Sequence, residues 1–127
     1  MPLHVVPPYA AALAVVFVAL SFRVIHGRRG DKVALGPGDA SLHRHIRVHA
    51  NFAEYAPFAP LLLAMAELHG AWPPLLRLLC GALVAGRLAH AWSVSHEPED
   101  FRFRVGGIVT TLTVILLAAV LLLLLVP

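Results

Sequence analysis

From Val105 to Pro127 no residue is charged, and the stretch VGGIVTTLTVILLAAVLLLLLV is apolar almost throughout. A helix crossing the hydrocarbon of a bilayer needs about 20 such residues. Only helices and closed barrels satisfy every backbone hydrogen bond there. This one segment therefore leaves few folds open. Three further segments have the same character, and the expected helices cover about 5–25, 42–68, 75–93 and 103–126. The 127-residue chain is 59% hydrophobic and 13% charged, whereas a soluble domain carries about 25% charged residues. The expected fold is all-α, an integral membrane four-helix bundle with a single domain over 1–127.

The first segment is too long for the core of a cleaved leader. Its positive residues, Arg28, Arg29 and Lys32, follow it; that order predicts a retained helix. Residues 27–43, GRRGDKVALGPGDASLH, read as a solvent loop, with Asp39 or Ser41 able to cap the next helix. The link HGAWPP at 69–74 ends the second helix with glycine and paired prolines, and Trp72 is placed as an interfacial aromatic. VSHEPEDFR at 94–102 joins the third helix to the fourth. With four crossings, the loops at 27–43 and 94–102 share a side. That side collects Arg23, Arg28, Arg29, Lys32, Arg44, Arg47, Arg87, Arg102 and Arg104, while Arg77 alone lies on the other. The asymmetry predicts that both loops are cytoplasmic and both termini lie opposite.

Several chemistries find no footing. There is no glycine-rich phosphate loop, no cysteine pair and no nucleic-acid motif. Cys80 is the single cysteine, within an apolar run, and can form no internal disulfide. His45 and His49 have the i, i+4 spacing of a helical metal pair, but no cysteine or acid stands nearby as a third ligand. No metal is expected.

The second helix poses the chemical question. Its stretch HANFAEYAPFAP holds His49, Asn51, Glu54 and Tyr55, and a carboxylate near the bilayer centre costs roughly 3 kcal/mol or more. On a helix, Arg47, Asn51, Glu54, Tyr55 and Phe58 share one face. His49 points to the opposite side, where a neighbouring subunit could meet it. Pro57 and Pro60 deprive the carbonyls of Ala53 and Ala56 of their usual partners and should bend the helix. Arg87 and His90, at i and i+3, share a face of the third helix. Arg102 and Arg104 open the fourth, ahead of Gly106 and Gly107, which admit a close helix or ligand. Several cations and one carboxylate thus gather at the cytoplasmic end, a set that suits a ligand with carboxylates, an ammonium group and a reactive centre. The same residues have a structural reading, in which Arg47, Glu54 and Arg87 neutralise one another and fix helix register.

The run RVHANFAEYAPFAPLLL resembles the signature of the MAPEG family, the membrane-associated proteins in eicosanoid and glutathione metabolism. That signature has Arg, then Asn, Glu and Tyr with a nearby Pro, here Arg47, Asn51, Glu54, Tyr55 and Pro57. The segment GRLAHAW resembles the family's third-helix end, with Arg87 as its arginine. The resemblance implies four-helix subunits, typically homotrimers, holding glutathione between subunits near the cytosolic side. It implies glutathione as co-substrate, bound by Arg47, Asn51, Glu54, Tyr55 and Arg87, with His90 in the same set. It also implies a fourth-helix arginine as thiolate stabiliser: Arg104, whose context RVGG is similar to the bacterial pattern, with Arg102 as the alternative. The leukotriene-forming branch has tyrosines where this sequence has His90 and Val94. The chain is most similar to small bacterial members, which places it in an inner membrane.

The function implied is a membrane-bound glutathione transferase or peroxidase acting on small lipophilic electrophiles that reach it through lipid. The competing reading is a non-enzymatic trimer with the same fold and a structural or lipid-binding role. A transporter is disfavoured, since four short helices with one polar end offer no second gated half.

Overall fold

The computed structural model describes residues 2–127. Its elements are α1 (Val6–Asp31), α2 (Ala40–Tyr55), α3 (Phe58–Leu68), α4 (Pro73–Ser95) and α5 (Phe101–Leu125). The all-α expectation holds. Three helices, α1, α4 and α5, are long and apolar enough to cross a membrane. Between α1 and α4 the chain runs through α2 and α3 in series.

That series corrects the single helix expected over 42–68. Pro57 has no N–H, so the ladder stops at Ala56, whose own N–H still bonds to Phe52 O at 2.9 Å. Ala56 and Pro57 both keep right-handed helical dihedrals, so the chain bends and continues instead of turning back. Pro60 falls in the first turn of α3, where a missing N–H costs nothing.

The loop expected over 27–43 is also shorter than the sequence indicated. α1 runs on through Gly27, Arg28, Arg29 and Gly30 to Asp31. Each glycine costs only about 1 kcal/mol in a helix, and the two arginines in the last turn complement the negative end of the dipole. Lys32 closes it in a left-handed conformation, φ 55°, with Val33 N bonded back to Arg28 O at 3.0 Å. Of the two candidate caps, Asp39 is the one used: its carboxylate accepts the Leu42 N–H at 2.7 Å. Pro73 and Pro74, expected as breakers, open α4, since its first N–H groups need no helical partner.

α4 and α5 pack most extensively, and Gly107 explains why. A Cβ there would lie 2.5 Å from Gly86 O and 2.7 Å from His90 Cβ. Backbones approach this closely only when one side chain is missing. Of the two glycines, Gly107 serves a neighbouring helix, while Gly106 faces open space. The core between the helices is filled by Leu63, Leu76, Leu83, Ala59 and Cys80, each 1% exposed or less. Large apolar side chains such as Phe22, Leu116 and Leu124 face outward, as the surface of a membrane bundle requires.

Both ends of the bundle are tied. At one end Arg44 pairs with Glu97, and Arg23 Nη1 donates to Ser95 Oγ at 3.2 Å, so the two charged loops share a side as expected. At the other end stands Glu67. It is buried, and its carboxylate accepts the backbone N–H groups of His4, Val5 and Val6 at 2.7, 2.6 and 2.9 Å. It serves as the cap that α1 lacks in its own sequence.

Candidate functional site

α2 is strongly two-sided. Leu42, Val48 and Phe52 are buried against the bundle, and Arg47, Glu54 and Tyr55 are exposed on the other side, with Asn51 half-buried at the boundary. Phe58, expected on the same face, lies beyond the bend and is 55% exposed. His49 does not look outward as its helical position led us to expect. It stacks on Phe17 of α1 with centroids 5.0 Å apart, and its Nε2 lies 3.0 Å from Ser21 Oγ. The face opposite the polar one is therefore occupied within the same chain.

The structure brings two sets of the expected residues together. The first joins α2 to α4. Arg87 Nη2 donates to Asn51 Oδ1 at 2.6 Å, and the guanidinium carbon lies 5.8 Å from the Phe52 ring centroid. Arg87 is only 1% exposed, yet its Nε and Nη1 meet no acceptor among the described residues. A buried guanidinium without a carboxylate is costly, because desolvation is uncompensated. Arg87 is thus a buried cation whose one hydrogen-bond acceptor among the described residues is Asn51.

The second set is a polar groove of about 370 Å³ at the charged end, lined by His43, Arg44, Arg47, Glu97, Glu99 and Arg104. Arg104 Nη1 lies 2.9 and 3.2 Å from the two Glu99 carboxylate oxygens. Among the described residues the ion pairs are Arg44–Glu97, Arg102–Asp100 and Arg104–Glu99; Arg47 and Glu54 take part in none. Asn51 follows Arg47 by one helical turn, so the Arg87 set lies about 6 Å deeper than the groove.

Two residues stand apart from both sets. His90 is packed between α4 and α5 against Gly107, 3% exposed, with Nδ1 unpaired among the described residues. Arg102 lines a different groove, with Phe103 and Gly106, and its side chain is 90% exposed. It bonds to Asp100, which caps α5. Hydrogen bonds from the Arg102 side chain and backbone hold the Asp100 carboxyl below the usual carboxylate range.

Sequence reasoning missed the acids of the α4–α5 loop. Glu97 and Glu99 each take one of the groove's arginines. Their signal was local: EPED runs straight into FRFR. Phe52 beside Arg87 was also passed over, because an aromatic on an apolar face looks like simple core.

The sequence model for the MAPEG family matches residues 6–123. The chain belongs to the MAPEG family. Inner membrane protein YecN of Escherichia coli is 36% identical to it over 104 residues, 81% of this chain and 78% of that protein. The protein of the same name from a second Escherichia coli strain matches to the same extent. This MAPEG protein is accordingly an integral membrane protein of bacterial inner-membrane type. Its polar residues collect at the end where the charged loops lie.

Proposed function

We propose that this MAPEG protein is a homotrimeric, glutathione-dependent transferase or peroxidase acting on lipophilic electrophiles dissolved in the bilayer. The observation that carries the reading is Arg87: a cation 1% exposed, bonded to Asn51 and otherwise without an acceptor. Such a group calls for an anion, and its family membership directs that need to a glutathione carboxylate. Arg47, one turn nearer the loops and in no ion pair among the described residues, suits the second carboxylate. A bidentate hydrogen bond to a planar carboxylate is what arginine does best. Glutathione is three residues long, so about 10 Å extended, enough to reach from the Arg87 depth to the groove.

Glu54 supports the trimer. It is exposed on the single chain at a depth where lipid would surround it. A neighbouring subunit would cover it, and the ammonium of glutathione would serve as its counter-ion. Asn51 and Tyr55 then hydrogen-bond the peptide groups.

Arg104 is the candidate for the reacting end. It shares the groove with Arg47, whereas Arg102 faces another. An ordinary thiol titrates near 8.5 and is mostly neutral at cytosolic pH. Arginine stays charged at every relevant pH, and beside the sulfur it favours the thiolate. A lowering of the thiol pKa by about two corresponds to roughly 2.7 kcal/mol. The thiolate then attacks the electrophile, forming the carbon–sulfur bond as the leaving group departs. A hydroperoxide is instead reduced to the alcohol and water as two glutathiones give up two electrons and two protons and join as the disulfide.

Arg104→Ala should move the titration midpoint of bound glutathione up toward 8.5. Affinity at low pH, where the thiol is neutral in either protein, should change little. Thiolate absorbance in the ultraviolet, followed across pH in detergent, measures the midpoint. A shift in Arg102→Ala instead would transfer the role to that residue. A wild type with no bound thiolate near neutral pH would end the enzymatic reading.

A further inference from the structure

Arg104 is the reacting-end cation in the proposal above, yet it already has a carboxylate. Glu99 meets its guanidinium with both oxygens, and the Glu99 side chain is only 15% exposed against 47% for Arg104. Helix capping does not account for this pair. Asp100 already caps α5, accepting the Arg102 N–H at 3.0 Å. Nor does the groove lack positive charge for Glu99 to balance elsewhere, since Arg47 makes no ion pair among the described residues and Arg44 has Glu97. The acid is therefore directed to one arginine out of the three in the groove.

We propose that Glu99 is an internal competitor for the anion Arg104 receives, which weakens the groove's hold on ligands bearing negative charge at that point and leaves neutral ones unaffected. The proposal rests on the glutathione reading of the same groove. A neutral group, such as a thiol or thioether, gains little by displacing a carboxylate from a guanidinium. A thiolate or other anion exchanges one charge-assisted pair for another. Glu99 thereby tempers the preference of the reacting end for the ionised thiol. It also keeps Arg104 from being held by stray solution anions between ligands. A partly exposed ion pair is weak, so the latch opens readily and its effect on affinity is modest.

The test uses the full chain in detergent and two probes: glutathione sulfonate, with a fixed negative charge at the sulfur position, and S-methylglutathione, with none. Glu99→Gln should bind the sulfonate about three- to five-fold more tightly than wild type, the loss of one exposed competitor. Binding of S-methylglutathione should not change. The gain should vanish in Glu99→Gln combined with Arg104→Ala. If wild type binds the sulfonate and Glu99→Gln binds it equally or less well, Glu99 is a structural partner and the competitor proposal fails while the glutathione reading stands. Equal tightening of both probes would mean general charge relief and would also overturn it. Failure of wild type to bind either probe would remove the glutathione reading and the proposal with it.

Discussion

Glu67 gives its carboxylate to three backbone N–H groups at the start of α1, while Glu54, on the same passage, stands exposed. The contrast shows how burial of an acid is sustained. The first four N–H groups of a helix have no internal partner and carry the positive end of its dipole. Glu67 supplies three acceptor contacts and the opposite charge at once. Glu67→Ala should destabilise the bundle by about 3 kcal/mol, and Glu67→Gln, which keeps one carbonyl oxygen, by about 1 kcal/mol. Thermal unfolding in detergent, followed by the fluorescence of nearby Trp72, separates the two. Equal small losses would mean that water caps α1 adequately. Nothing in the sequence around Glu67 indicated this role, because its partners lie more than sixty positions earlier.

At the scale of elements, apolar run length and prolines were the legible features, since the bilayer admits little else. The three long apolar helices were visible in this way, and Pro57 correctly marked the bend. What was not legible depends on balances between weak terms. Gly27 and Gly30 looked like loop residues, but continuing α1 with two arginines in its last turn outweighed their cost. His49 was given to a neighbouring subunit by helical position alone, and Phe17 of α1 took it instead. The candidate site was half legible: the pattern singled out Asn51 and Arg87, which the fold brings together, whereas the Glu99–Arg104 pair depends on the path of a loop. The α4–α5 seam yields a prediction of its own. Gly107→Ala forces a methyl against Gly86 O and His90 and should cost about 1–3 kcal/mol, whereas Gly106→Ala meets open space and should be neutral or slightly stabilising. Paired melting curves check this; similar losses would show that helix flexibility, not contact, sets the requirement.

For the whole molecule, one chain leaves polar groups facing outward within a membrane passage. Arg47, Glu54 and Tyr55 all lie on the outer side of α2. Exposure of Glu54 to hydrocarbon would cost roughly 3 kcal/mol or more, a penalty that the proposed trimer would remove. Native mass spectrometry from mild detergent should find three copies. A monomer persisting across detergents would leave the polar face without a neighbour and dissolve the intersubunit site.

Cys80, the sole cysteine, is 1% exposed between the helices. A protein that brings an activated sulfur nucleophile to electrophiles in the bilayer exposes its own thiols to the same reagents. Alkylation of a surface cysteine would accumulate with every turnover and eventually disable the catalyst. Under the proposed glutathione chemistry, enclosing the one thiol within the bundle would keep it from the electrophiles, and the sulfur that reacts would be the one that can be replaced from solution.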